Sequence, residues 1–197
     1  SSIAENAGSS LTLTATLSNP TTADVTVGIS TSGTGTEGTD YSTISDITIS
    51  AGATTGTVSF TPTDDSVYEG NETGIVAIST VSGGSATEDG TQSVTITITE
   101  NDSSPTITLA TSATSIAENA GSSLTLTATS SIAADEDITV SISTSGTGTE
   151  GTDYSTISDI TISAGATTGT VSFTPTDDST YEGNETGIVA ISTVSGG

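Results

Sequence analysis

Ser93-Val94-Thr95-Ile96-Thr97-Ile98-Thr99 decides the fold class. Apolar residues at 94, 96 and 98 alternate with threonines. A period of two puts one set on each face of a β-strand. Threonine suits the outward positions because its β-branch fits a pleated surface. The pattern returns in residues 10–17 (Leu11, Leu13, Ala15), 25–31 (Val25, Val27, Ile29) and 44–50 (Ile47, Ile49). Residues 57–61 carry Val58 and Phe60, and 74–81 and 106–110 read the same way. Seven strands at this spacing predict an all-β immunoglobulin-like sandwich.

The sandwich is expected twice. Ile3-Ala4-Glu5-Asn6-Ala7-Gly8 recurs 113 positions later as Ile116-Ala117-Glu118-Asn119-Ala120-Gly121. Residues 1–84 align with 114–197 without a gap, and 74 of these 84 positions are identical. Six of the ten differences fall between 17 and 23, opposite 130 to 136. Such near-identity marks a tandem array. The expected division is a first repeat over 1–102 lacking its first strand, a short linker over 103–105, and a second repeat over 106–197 lacking its last strand. Pro105 limits flexibility in the linker. A sandwich cut this way exposes raw sheet edges. The expectation is an array that continues on both sides, with strands from neighbouring chains as the alternative. The absence of Met and of a signal peptide points to an excerpt of a longer chain.

Composition excludes several classes. Among 197 residues there are 24 Asp and Glu and no Lys, Arg or His, giving a formal charge of −24. Such a surface repels phosphate backbones and anionic membranes, so neither nucleic acid nor membrane insertion is expected. No apolar run reaches the length of a membrane span. Without Cys there are no disulfides and no soft-metal sites. Without Lys there are no Lys–Asn isopeptide crosslinks. A small core with neither staple gains from a bound metal.

The acids are clustered. Asp64, Asp65, Glu69 and Glu72 fall within nine residues, and the cluster returns as Asp177, Asp178, Glu182 and Glu185. Two carboxylates ~4 Å apart repel by about 4 kcal/mol at an effective dielectric of 20. A fold that gathers them must separate them, protonate one, or recruit a cation. Up-and-down strand order puts alternate loops at one end of the sandwich. That end collects Glu5, the loop with Glu37 and Asp40, the acidic cluster, and Glu100-Asn101-Asp102 after the strand at 93–99. The opposite loops, such as 50–55, are nearly uncharged. The oxygen ligands gathered there suit Ca²⁺. Its candidate ligands are Glu5, Asp40, Asp64, Asp65, Glu69, Glu72, Asp102 and the Val67 carbonyl. In the second copy they are Glu118, Asp153, Asp177, Asp178, Glu182 and Glu185, an incomplete set expected to bind more weakly. Asp135, Glu136 and Asp137 are expected to face the tip of the first copy.

Other motifs weigh less. Gly33-Thr34-Gly35-Thr36-Glu37-Gly38 matches a dinucleotide fingerprint, but a strand rather than a helix is expected to follow. Its glycines fit a loop that delivers Asp40. Paired carboxylates evoke glycoside hydrolysis, yet only Tyr41 and Tyr68 lie near the tip, as packing residues. Ser and Thr abound with no His, Lys or Cys beside them, so no activated nucleophile is expected. Asn71-Glu72-Thr73, Asn101-Asp102-Ser103 and Asn184-Glu185-Thr186 are formal glycosylation sequons that overlap the ligand segments.

Jointly, Glu5 to Gly8, Gly38-Thr39-Asp40-Tyr41, Ala51 to Val58, Asp64 to Glu72 and Glu100-Asn101-Asp102 resemble the Calx-β domain, in two copies over nearly the whole chain. The resemblance implies an immunoglobulin-like sandwich with Ca²⁺ at the tip reached by these loops. It adds Glu100 to the ligand set, at a position where the family often has Asp. Calx-β domains occur in sodium–calcium exchangers, integrin β4 and large bacterial surface proteins. The expected function is a calcium-binding structural repeat of an extracellular bacterial surface protein, an adhesin stalk or fibre. Its expected partners are neighbouring repeats, with self-assembly into a filament. A regulatory calcium sensor is the alternative, and catalysis is not expected.

Overall fold

The computed structural model describes all residues from Ser1 to Gly197 and contains no helix. The chain forms two compact units, Ser1–Asp65 with Gly70–Asn101, and Ser66–Glu69 with Asp102–Gly197.

The first unit holds β1 (Ser2–Ala4), β2 (Leu11–Thr16), β3 (Val25–Gly33), β4 (Ile47–Ile49) and β5 (Thr55–Phe60). After β6 (Val67–Tyr68), which groups with the second unit, come β7 (Glu72–Ser82) and β8 (Ser93–Thr99). One sheet has the order β1-β8-β7-β3-β4, and β2 pairs with β5 in the other. The alternating residues fill the space between. Ile3, Tyr41, Phe60, Val76, Ile96 and Ile98 form one buried cluster. Val25, Val27, Ile47 and Ile49 form another. Tyr41 stacks on Phe60 with ring centroids 4.6 Å apart. Gly74 of β7 makes this possible, because a Cβ there would stand 2.7 Å from the Phe60 ring. A bulge in β7 at Ser79, opposite the Gly28–Ile29 step of β3, shifts the register of the pair. The Ile29 N–H there donates to Asp46 Oδ1 at 3.0 Å.

The second unit repeats the plan with β9 (Ile107–Thr111), β10 (Leu124–Ser130), β11 (Ala133–Ala134), β12 (Ile138–Gly146), β13 (Ile160–Ile162), β14 (Thr168–Phe173) and β15 (Gly187–Gly196). Its sheets run β14-β10-β9 and β13-β12-β15. In addition β6 pairs in parallel with β11, and the Asp135 N–H donates to the Tyr68 carbonyl at 3.2 Å. Leu126, Ala128, Val140, Tyr154, Ile160 and Ile162 are among its buried core.

Both units are all-β sandwiches, as the alternation predicts. Differences lie at strand ends and in short strands. The strand expected at 44–50 shrinks to Ile47–Ile49, and that at 106–110 shifts to Ile107–Thr111. The strand expected at 74–81 lengthens to Glu72–Ser82 because β8 pairs with it from Glu72 onward. Ser2–Ala4, outside the seven expected strands, is a strand held parallel to β8, with Ile3 opposite Ile98. Two or three residues carry no period, so β1, β6 and β11 exist through their partners alone.

Candidate metal centre

Four segments of the first unit are tied together at one end by hydrogen bonds. The Glu5 N–H donates to the Thr99 carbonyl at 3.0 Å, which sets Glu5 beside the end of β8. The Asn6 N–H donates to Asn101 Oδ1 at 3.1 Å. The Thr63 N–H donates to the Asp40 carbonyl at 2.9 Å, joining the loop after β3 to the acidic cluster. The Gly70 N–H donates to Glu100 Oε2 at 2.9 Å, and the Glu100 N–H to Asn71 Oδ1 at 3.0 Å.

Within this frame carboxylates meet. Oxygens of Glu5 and Asp65 lie within 4.8 Å of each other, as do oxygens of Asp40 and Glu72. Glu5 is 4% exposed and Asp40 8%, so both charges are largely withdrawn from water. Asp40 is oriented by the Thr36 N–H, which donates to its Oδ2 at 2.5 Å. Glu72 lies against Gly35, where a Cβ would stand 3.2 Å from its Oε2. The middle glycine of the G-x-G-x-x-G run thus leaves room for a carboxylate. The first, Gly33, has φ +124, and a Cβ there would meet the Thr73 carbonyl oxygen at 2.0 Å. Asp64 accepts from Asn101 Nδ2 at 3.4 Å. Val67, Glu69 and Asp102 belong to the second unit.

Glu37 has a different task. Its carboxylate accepts from Thr31 Oγ1 and from the Ile44 N–H, both at 2.6 Å, and pins the loop after β3. Glu150 does the same with Thr144 and the Ile157 N–H. The Thr144 hydroxyl, then the backbone N–H, holds the Glu150 carboxyl below its usual range. Sequence reading missed Asn71 and Asn101, whose side chains tie the acidic loop to the end of β8, Asn101 also holding Asn6 there. Their place inside the motif segments was the available signal.

In the second unit, oxygens of Asp153, Glu182 and Glu185 lie within 4.8 Å of one another. The Asp178 N–H donates to Glu118 Oε1 at 3.0 Å, and the Thr180 N–H to Asp178 Oδ1 at 2.6 Å. Asp177 lines a small cleft with Glu118. Desolvation, then repulsion from Asp153, Asp178, Glu185 and Glu118, pushes the Glu182 carboxyl up. Desolvation and Asp153 do the same to Glu185. Glu182 and Glu185 are exposed, whereas Glu5 and Asp40 are buried.

The donor set passes a fit test for calcium. Every candidate ligand is an oxygen, and Ca²⁺ takes six to eight oxygens at about 2.4 Å. Two ligands of one ion then lie at most about 4.8 Å apart, and the carboxylate oxygens gathered here fall inside that limit. The chain has no Lys, Arg or His to balance these charges.

A model of the Calx-beta domain family matches residues 1–102 and again residues 100–197. The chain belongs to the Calx-β family. Two solved structures resemble the Calx-β pair at low identity. One, described as the calcium binding domain CBD12 of CALX1.1, is 17% identical with a TM-score of 0.43, over 90% of this chain and 73% of that one. The other, CBD12 from CALX1.2, is 16% identical with a TM-score of 0.43, over 88% and 72%. No curated protein matches the chain. No helix is long and apolar enough to cross a membrane.

Proposed function

We propose that this tandem Calx-β chain binds Ca²⁺ at the loop end of each unit. We further propose that it serves as a calcium-stiffened structural segment, a stalk or fibre, of an extracellular bacterial surface protein. The observation that carries the calcium reading is the approach of Glu5 to Asp65 and of Asp40 to Glu72 in a chain without a basic side chain. In the first unit Glu5, Asp40, Asp64, Asp65, Glu72 and Glu100 would supply oxygens; in the second, Asp153, Glu182 and Glu185. Bound calcium supplies the positive charge that the polypeptide lacks. The structural role is supported by 74 identities in 84 aligned positions, because paired regulatory sensors diverge in role and these copies have not. Neighbouring repeats and other copies of the chain are its proposed partners.

Titration calorimetry and thermal melts test the reading. At free Ca²⁺ ~100 times the dissociation constant, each site adds about 2.7 kcal/mol to stability. Mg²⁺ demands near-octahedral geometry and sheds its waters reluctantly, and should stabilise less at equal concentration. A melting temperature indifferent to calcium and chelator rejects the metal. Saturation in the millimolar range with little change of shape supports a strut. Micromolar affinity with a large shape change supports a regulatory sensor instead.

A further inference from the structure

The two sequence copies differ at ten of 84 aligned positions, and six of these fall between 17 and 23, opposite 130 to 136. A seventh is Val67, whose counterpart is Thr180. The fold brings the divergent segments together. Strand β6 pairs in parallel with β11, Val67 with Ala133 and Tyr68 with Ala134. The Asp135 N–H extends the pairing to the Tyr68 carbonyl at 3.2 Å. Strand β6 comes from the first sequence repeat yet belongs to the second unit.

The sandwich itself does not demand this divergence, because the backbone frame is the same in both copies. The Leu17 N–H donates to the Thr54 carbonyl and the Ser130 N–H to the Thr167 carbonyl, both at 2.8 Å. The Gly52 N–H donates to the Thr21 carbonyl at 2.8 Å, and the Gly165 N–H to the Ala134 carbonyl at 2.7 Å. Asp24 and Asp137 accept from the Ala51 and Ala164 N–H groups, both at 2.8 Å. Each bend keeps one hydroxyl-to-carbonyl bond, Thr21 to Ala23 at 2.7 Å or Ser130 to Ile132 at 2.6 Å. What changes is the chemistry presented. Ile132-Ala133-Ala134 is apolar where the first copy has Asn19-Pro20-Thr21. Successive strand residues point to opposite faces. Ala134 enters the core, and Ala133 stays half-buried on the face that it shares with Val67. An apolar residue of β6 therefore meets an apolar strand.

We propose that residues 132–135 form a recognition edge for an extended Val-Tyr segment, and that this edge and position 67 carry a matching code between repeats. Near-identical repeats are prone to misassembly and to swapping of equivalent segments. A code confined to one short strand pair marks the right segment without disturbing either core. Main-chain hydrogen bonds supply affinity, and the side chains at 132–134 supply the choice. A Thr-Tyr segment, as at Thr180-Tyr181, mismatches this edge and matches one built of Asn-Pro-Thr. The proposal deepens the reading of neighbouring repeats as partners and does not depend on calcium.

Amide hydrogen exchange on the full chain in chelator, corrected for intrinsic rates, reads the pairing at the N–H of residue 135. Val67→Thr should raise exchange there by up to about fivefold. Grafting the sequence of residues 17–23 onto 130–136 should raise it at least as much. Combining the two should recover most of the protection, a non-additivity expected of groups in contact. Core amides of β12 and β14 should exchange alike in all four proteins. Additive losses in the combined variant, or no loss in either single one, overturn the code. Faster core exchange in the graft also overturns it, because the divergence then serves the fold of the unit. Recovery in a chain whose melting ignores calcium upholds the code and rejects the calcium reading alone.

Discussion

The backbone N–H of Asp65 donates to Oε1 of Glu5 at 3.1 Å, linking positions 60 apart in sequence. The second unit repeats the bond between Asp178 and Glu118 at 3.0 Å. The acidic loop is therefore anchored through a carboxylate that is also a candidate ligand.

Glu5→Gln should separate these two roles. The amide oxygen can still accept from Asp65, so stability in chelator should change little. The lost charge should weaken calcium binding at the first unit by at least about tenfold, or about 1.4 kcal/mol. Calorimetry and paired melts with calcium or chelator measure the two effects separately.

Gly35→Ala tests the space rather than the charge. Its methyl would press on Glu72 Oε2 from 3.2 Å. The expected result is weaker calcium binding with a stability in chelator close to that of the parent. Gly148→Ala should act alike on Glu185, where the distance is 3.3 Å.

Acid should stabilise the calcium-free second unit. Desolvation and neighbouring carboxylates raise the Glu182 and Glu185 carboxyls above their ordinary value of 4.5. Folded-state values above the unfolded ones mean that folding takes up protons. Their contribution is fully present below the unfolded value and is lost as pH rises through the folded one. Melts in chelator should therefore rise as pH falls through the folded-state values towards 4.5. With calcium saturating, protons compete with the ion, and the trend should reverse.

Gly74→Ala should destabilise the first unit by about 1–3 kcal/mol through overpacking. The Phe60 ring that its methyl meets is fully buried and stacked on Tyr41, and has nowhere to go. Gly187→Ala meets Phe173 at 2.9 Å, but that ring borders an open groove and can shift. Its cost should be smaller, as denaturant midpoints of the two variants will show.

Alternation made the long strands legible, because four or five side chains in period two leave little choice of register. It carried Ser93–Thr99 without error at either end. Loop placement follows from strand order alone, which brings Glu5, Asp40 and the acidic cluster to one end. What sequence could not show was how each acid is used. Glu37 and Asp40 sit three residues apart in one loop, yet Glu37 is taken up by Thr31 and the Ile44 N–H. That allotment depends on distances of a few ångströms between segments remote in the chain. The same holds for β1, whose three residues are a strand only because β8 lies alongside.

The parallel pairing of β1 with β8 also sets how the first unit bears tension. The chain enters at Ser1, beside β1, and leaves after Thr99, at the far end of β8. Ser2, Ile3 and Ala4 lie opposite Thr97, Ile98 and Thr99 in the same direction. Pulling the two ends apart loads these hydrogen bonds lengthwise and together, in shear, instead of unzipping them one by one.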